Sequence, residues 1–228
     1  MRPALEYRCA GVKLSTRTAI SKSPATLTKG NSDTLAISGN IAANKKWYDN
    51  ELNLGVDGVY GENSGVVNAN AVHGFAQCNR LFTERLFGYF RAEAFHDDVA
   101  KIDYQVSLSP GVGYYFIKQK TLTLRDELGP GYVFERLDGV EDDYATIRLA
   151  ERGEWKLTDR AKIWESVEYV PQVDRFQNYV INSEIGLDTV ITKKFSQVVF
   201  LQDSYRSEPA PGRKNNDLKL VAGIKYKF

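Results

Sequence analysis

Apolar and polar residues alternate along several segments of the chain, and this period of two is typical of β-strands with one apolar and one polar face. The last segment is the clearest, because apolar side chains occupy every second position from Leu218 to Phe228 while Lys219 and Lys225 lie between them. The other segments with clear alternation are 35–44, 51–57, 103–116, 122–134 and 179–191. Segments with strand composition and weaker alternation are 15–28, 66–79, 145–152, 161–171 and 195–206.

These segments predict about twelve antiparallel strands, within a range of about ten to fourteen. Many of them reach 11 residues, whereas soluble strands most often have about 5–6 residues and membrane-spanning strands about 9–11. No run of apolar residues is long enough for a transmembrane helix. The sequence therefore predicts an all-β fold, a closed antiparallel transmembrane β-barrel over residues 14–228, preceded by an irregular leader over residues 1–13.

The links between the predicted strands alternate in character. Every second link is short and mostly basic: Lys45-Lys46, Asn79-Arg80, Lys118 to Lys120, Thr158 to Arg160, and Thr192 to Lys194. Several links between these are longer or more acidic: His96 to Lys101, Arg136 to Asp143, Pro171 to Gln177, and Ser207 to Asp217. Two exceptions, Lys29 to Asp33 and Glu62 to Gly65, are predicted tight turns. Short periplasmic turns and longer outer loops are typical of outer-membrane barrels.

The two ends of the chain bear on export. Phe228 closes the last amphipathic strand, and a terminal aromatic residue there resembles the signal that the barrel-insertion machinery recognises. Residues 1–13 contain no apolar stretch of the kind found in a signal peptide. If the protein is exported, either its true start lies upstream of Met1, which we favour, or residues 1–13 are the remnant of a signal that was removed.

Composition excludes several classes of function. The 30 basic and 29 acidic residues give a net charge of +1, which provides no electrostatic basis for binding nucleic acid. Cys9 and Cys78 lack the spacing of metal ligands. We predict no cofactor, no metal site and no catalytic residue, and we expect membrane lipid and lipopolysaccharide as partners, with Arg206, Arg213 and Lys214 as candidate phosphate contacts.

Charged residues on the polar faces of the strands are the candidate lining of the barrel lumen. Opposite charges on neighbouring strands predict ladders of ion pairs, which either plug the lumen or line a narrow channel. Strand number does not decide between these, because twelve strands lie between filled and open barrels. The residues assigned to this lining are Arg91, Glu93, Arg125, Glu127, Arg148, Arg152, Glu184, Asp188, Lys219 and Lys225.

A few other residues suggest chemistry, each beside a plainer interpretation. His96, with Ser107 or Ser109, is a weak candidate for lipid-ester hydrolysis, and Glu141 to Asp143 could bind a cation but lacks the spacing of a calcium loop. Gly111, Gly113, Gly129 and Gly131 are positions where a strand bends or a neighbouring aromatic ring covers the backbone. Four aromatic residues near the short links suggest an interfacial belt: Trp47, Tyr48, Trp155 and Trp164.

Three motifs in a fixed order resemble the DUF481 family. They are Gly30 to Thr34, the strand from Ser109 to Phe116 after Asp103-Tyr104, and Glu127 to Tyr132. The resemblance covers about residues 15–228 and implies a Gram-negative outer-membrane barrel, since members include salt-induced outer-membrane proteins. It implies no established activity.

The function predicted from the sequence is a structural or envelope-stress role, or a narrow passive pore, without enzymatic activity. An outer-membrane lipid-ester hydrolase is one alternative. A soluble ligand-binding barrel is another, and it requires apolar residues inside and polar residues outside.

Overall fold

The computed structural model describes residues 15–22, 26–28 and 34–227. Thirteen strands occur within this part of the chain. Their bounds are β1 (Ser15–Lys22), β2 (Thr26–Thr28), β3 (Thr34–Trp47), β4 (Asn50–Asn63), β5 (Val66–Leu81), β6 (Leu86–Asp97), β7 (Ile102–Lys118), β8 (Leu122–Leu137), β9 (Val140–Lys156), β10 (Ala161–Pro171), β11 (Tyr179–Val190), β12 (Phe195–Arg206) and β13 (Asn216–Lys227). The predicted leader over residues 1–13, the turn from Lys29 to Asp33 and the terminal Phe228 lie outside the described residues.

All strands form one antiparallel sheet, in which each strand from β2 to β12 pairs with the next strand in the chain. β1 and β2 both pair with β3, at successive positions along its length, so they occupy the place of one predicted strand over residues 15–28. β1 also pairs with β13, through Ala19 to Lys22. The first predicted strand therefore lies beside both the next strand in sequence and the last.

The sheet has no helix packed against it within the described residues, and none of these residues forms a helix long and apolar enough to cross a membrane. The two faces of the sheet differ because apolar and polar residues alternate along the strands. Directly opposed residues in antiparallel strands share a face, so the registers assign every strand position to one side. One side, called here the inner face, contains Glu51, Glu127 and Arg148; the other is called the outer face.

The outer face is apolar and exposed. Leu220 is 73% exposed and Ile185 54% exposed, and large apolar side chains cover most of the remaining outer positions. The inner face is polar and enclosed, and Glu127 there is 5% exposed. This arrangement is the reverse of a water-soluble barrel, in which polar residues face outward, and it matches the alternation of a membrane barrel.

Contacts between strands that are not neighbours show that the sheet curls around its inner face. Gln77 on β5 donates a hydrogen bond to Glu127 on β8, and Arg206 on β12 forms an ion pair of 3.0 Å with Glu135 on β8. Side chains four strands apart cannot meet on a flat sheet, because adjacent strands are about 4.8 Å apart. The inner face is therefore concave.

Aromatic rings on the inner face pack directly over glycines of the adjacent strand. Phe87 covers Gly113, Tyr89 covers Gly111, and a β-carbon added at Gly113 would lie 2.1 Å from the Phe87 ring. This confirms the prediction that neighbouring aromatic rings cover Gly111 and Gly113. The same packing joins Phe75 to Gly55 and Trp164 to Gly186, so the glycines fix where bulky rings fit inside the curl.

One link between strands differs from the pattern predicted from the sequence. β8 and β9 are joined by only Asp138 and Gly139, both with positive φ angles (51° and 80°), where a longer acidic loop from Arg136 to Asp143 was expected. Two residues with positive φ form the turn that matches the twist of paired strands, so the strands continue into the predicted loop. The tight turn at Ser64-Gly65 has the same geometry, as predicted. The long links are residues 172–178 and 207–215.

Candidate functional site

All ten residues assigned to the lumen lining lie on the inner face. One row of directly opposed positions runs from Arg125 through Arg152, Ser166 and Glu184 to Gln202, and ends at Lys219. Glu127 lies two positions after Arg125 on β8, and Arg148 lies four positions before Arg152 on β9, both on the inner face. Arg91 faces Gln77 and Glu93 lies two positions further along β6, while Asp188 and Lys225 approach within 3.2 Å.

A buried cluster occupies the middle of the inner face. The Arg148 guanidinium group binds Glu127 at 2.9 Å and Glu168 at 2.7 Å, and it lies over the Tyr89 ring. Arg125 reaches the other oxygen of Glu127 at 3.4 Å. Since each carboxylate has a cationic partner, the cluster satisfies the requirement that buried charges are paired. It joins β6, β8, β9 and β10.

A second chain of contacts lies beside this cluster on β4, β5 and β6. Arg91 donates two hydrogen bonds to Glu93 and one to Gln77. The ring nitrogens of His73 lie 2.9 Å from Asp57 and 2.7 Å from Glu93. Because a neutral imidazole can donate only one hydrogen bond, a ring that donates to both carboxylates carries a positive charge. His73 therefore belongs to the inner ion-pair network.

The inner faces of β10 to β13 contain fewer ion pairs. Lys225 binds Asp188, and the Trp164 indole donates a hydrogen bond to Glu184. Among the described residues, Lys219 forms no hydrogen bond or ion pair. Trp164 was a candidate for the interfacial belt, and that prediction is wrong, because the close approach to Gly186 places its ring inside. Tyr48 and Trp155 are exposed, as a belt requires.

One ion pair spans the concave face at the end with the longer links. Arg206 and Glu135 lie four strands apart, and both are buried or nearly so. Arg206 was expected to contact lipopolysaccharide, and the structure instead directs it inward. Sequence analysis missed Glu135, Asp57 and Glu168 as partners. The sequence shows that these residues alternate with apolar ones, but only the strand registers show which charged side chains meet.

The residues considered for other chemistry do not converge. His96 contacts the Asp103 carbonyl oxygen and Asp98, whereas Ser107 and Ser109 lie on the inner face opposite Glu93 and Arg91. Neither of these two serines therefore lies beside His96 in the manner of an activated nucleophile. Within the described residues, no group of His, Cys, Asp and Glu side chains could hold a metal ion, and this includes Glu141 to Asp143.

Comparison with known families identifies this fold. A model of the family described as "Protein of unknown function, DUF481" matches residues 24–228. The chain belongs to the DUF481 family. The family match extends from just after β1 to the end of the chain. The inner ion pairs described above are therefore those of a DUF481 protein. A search of curated proteins finds no match.

Several solved structures are similar to this chain in fold. The NanC porin superposes with a TM-score of 0.58 at 8% identity, over 92% of this DUF481 chain and 100% of the porin chain. The translocator domain of the autotransporter NalP from Neisseria meningitidis gives 0.49 at 11% identity, over 97% and 90%. The outer-membrane channel DcaP of Acinetobacter baumannii gives 0.45 at 10% identity, over 94% and 95%. At these identities the likeness to the NanC porin shows the fold.

Proposed function

We propose that this DUF481 protein is a closed twelve-stranded barrel of the outer membrane that acts as a narrow, charged, passive pore. β1 and β2 together count as one strand, and the pairing of β1 with both β3 and β13 supports closure. The observation that carries the membrane assignment is the exposed apolar outer face around an enclosed polar interior. A soluble ligand-binding barrel would have the opposite arrangement.

The pairing of the inner charges supports a narrow pore. A dry plug encloses its charges and pairs each of them, whereas Lys219 is only half-buried on the inner face and has no partner among the described residues. Arg152 and Lys162 are 38% and 39% exposed on the inner face, so water reaches them from within the curl. The Arg148 cluster and the Arg206–Glu135 pair extend into this space and narrow it. Small ions and polar solutes fit such a path better than large substrates do.

A structural role in the envelope is the second candidate. It is favoured by the buried network of Arg148, Glu127 and Glu168, which cross-links three strands and stiffens the barrel wall. Both proposals include outer-membrane lipid and lipopolysaccharide around the barrel, and insertion machinery that recognises the last strand. Neither includes a catalytic step, in accordance with the separation of His96 from the inner serines.

The test is conductance after refolding into detergent and transfer to planar bilayers. An unboiled sample that migrates faster than a boiled one establishes the folded barrel. We expect small single-channel steps, and larger steps in the double variant Arg206→Ala/Glu135→Ala, because this removes the pair that spans the interior. The matched control is Arg175→Ala/Glu208→Ala, which removes an ion pair in the long links and leaves the step size unchanged. A folded barrel without steps in either form contradicts the pore and favours the structural role.

A further inference from the structure

Basic residues outnumber acidic residues at one mouth of the concave face. This mouth, called here the basic vestibule, comprises inner-face strand positions within five residues of the short links at 48–49, 82–85, 119–121, 157–160 and 191–194, together with Lys225, which is opposite Ser196. Among the residues whose side chains the structure describes, its cations are Lys46, Lys118, Arg125, Arg152, Lys156, Lys162 and Lys225, and its carboxylates are Glu51, Glu154 and Asp188.

The charge imbalance remains after the ion pairs are assigned. Lys156 binds Asp159 in the adjacent link at 2.8 Å, and this hydrogen bond lowers the pKa of Asp159, so the pair is ionised and neutral overall. Arg125 pairs with Glu127 in the buried cluster, so five cations share the three carboxylates of the vestibule. Arg152 and Lys162 both bind Glu154, Lys225 binds Asp188, and Lys46 binds Glu51. Lys118 donates a hydrogen bond to the Glu84 carbonyl oxygen and forms no ion pair among the described residues.

Like charges are directly opposed in this vestibule. Arg125 is the cross-strand partner of Arg152, and Lys156 is the partner of Lys162. Directly opposed like charges destabilise a sheet, whereas opposite charges at the same positions would stabilise it. Arg125 and Arg152 have carboxylate partners, Glu127 and Glu154, two positions along their own strands, and a multivalent anion between the two guanidinium groups would offset the repulsion that remains.

Arg125 also has an unused donor. Its Nε atom is buried and has no hydrogen-bond partner, and its other nitrogens make only long contacts, 3.4 Å to the Tyr115 hydroxyl and 3.4 Å to Glu127. A buried donor without a partner costs free energy. Arginine is suited to bidentate binding of phosphate and carboxylate groups, so this donor is available for such a group.

The opposite mouth has the opposite sign. The inner-face positions nearest the longer links contain the carboxylates Asp97, Glu135, Asp142 and Asp217 among the described residues, with Arg206 and Lys219 as the cations. An anion is therefore attracted to the short-link end and repelled at the other end. By the convention of outer-membrane barrels, the short links face the periplasm.

We propose that the basic vestibule binds a small multivalent anion bearing phosphate or carboxylate groups, entering from the periplasmic side. This inference rests on the proposed function, since it requires a barrel with an accessible interior. Arg125 on β8 and Arg152 on β9 bind the anion directly. Lys46, Lys118 and Lys162 add positive charge around it. Several charges are required, because a monovalent ion would compensate only half of the excess of two cations.

The test is calorimetric titration of tripolyphosphate into the refolded protein in a zwitterionic detergent at constant ionic strength. We expect saturable binding to the wild type. The Kd is expected to rise about ten- to a hundredfold in Arg125→Gln/Arg152→Gln, the range for loss of charged hydrogen bonds. The matched control is Lys193→Gln/Lys194→Gln, which removes the same charge from an exposed link outside the interior and should leave the Kd within about twofold.

The outcomes separate this inference from the proposed function. An equal loss in both variants would show general attraction to a basic surface, as for lipid headgroups, and would overturn the site. A wild type that shows the folded gel shift without binding would overturn the site and leave the barrel standing, whereas absence of the gel shift refutes the barrel itself. If Arg125→Gln/Arg152→Gln does not fold, Arg152→Gln/Lys162→Gln removes two partly exposed cations and tests the same site.

Discussion

At the scale of single residues, the packing of aromatic rings over glycines is the most restrictive feature of the interior. A β-carbon at Gly186 would lie 2.2 Å from the Trp164 ring, and the indole is fixed by its hydrogen bond to Glu184. The substitution Gly186→Ala should therefore destabilise the barrel by about 1–3 kcal/mol, the usual cost of overpacking. Urea unfolding in detergent, followed by tryptophan fluorescence, measures this. Gly39→Ala is the matched control, because nothing lies within 4 Å of its added β-carbon; equal losses in both variants would contradict the packing argument.

The Arg148 cluster provides a second prediction at this scale. The substitution Arg148→Gln leaves Glu127 and Glu168 without their shortest ionic contacts, and breaking a buried pair in this way costs about 3–5 kcal/mol. The same unfolding experiment applies. Arg175→Gln, which breaks the half-exposed pair with Glu208, should cost at most about 1 kcal/mol. A cost for Arg148→Gln as small as that of the control would mean that water already screens the cluster.

At the scale of strands, the assignment of the two faces can be tested on adjacent residues of β13. Leu220 points outward, opposite Leu201, and Val221 points inward, opposite Phe200. A lysine on the lipid side near the middle of the bilayer costs about 2–4 kcal/mol, so Leu220→Lys should strongly reduce the folded fraction in phosphatidylcholine vesicles during urea titration. Val221→Lys should have a much smaller effect, because the inner face already contains lysines. The reverse order would indicate a barrel with its polar side outward.

The strands were largely predictable from sequence, since period-two alternation depends only on local side-chain direction. The weakly alternating segments at 161–171 and 195–206 coincide with β10 and β12. The β8–β9 connection was not predicted, because charged residues such as Glu141 occur equally in loops and in strand ends that extend beyond the membrane. The Asp138-Gly139 pair was the available signal for a two-residue turn.

The partners within the candidate site were less predictable than its members. Alternation placed Arg125 and Arg148 on a polar face, but their contacts depend on register across several strands and on the curl of the sheet. The Arg206–Glu135 pair joins residues 71 positions apart, and no local pattern indicates it. The basic vestibule was partly visible as basic short links, whereas the direct opposition of Arg125 and Arg152 needed the register.

At the scale of the whole molecule, the charge is distributed along the axis of the barrel. The short-link mouth is cationic and the other mouth is anionic, although the chain as a whole has a net charge of only +1. A pore with this asymmetry should conduct unequally at opposite voltages, because mobile ions accumulate in the pore more readily at one sign of the voltage than at the other. Current–voltage curves of the refolded protein measure this rectification. Neutralising the vestibule with Arg125→Gln/Arg152→Gln should reduce it, and a symmetric wild-type curve would contradict the axial field.

Closure of the barrel determines whether there is a lumen at all, and it can be tested by cross-linking the first strand to the last. Ser21 on β1 is directly opposite Lys225 on β13, and opposed positions bring β-carbons close enough for a disulfide. With Cys9 and Cys78 replaced by serine, Ser21→Cys/Lys225→Cys should form a cross-link upon oxidation, which makes the denatured chain migrate faster on a non-reducing gel. Ser21→Cys/Lys219→Cys should not cross-link, since Lys219 lies about 20 Å further along β13. Gln202→Cys/Lys219→Cys joins neighbours within the sheet and should cross-link whether or not the barrel closes. Cross-linking of this last pair without the first would show a folded sheet with an open seam, and an open seam would expose strand edges that a membrane does not tolerate.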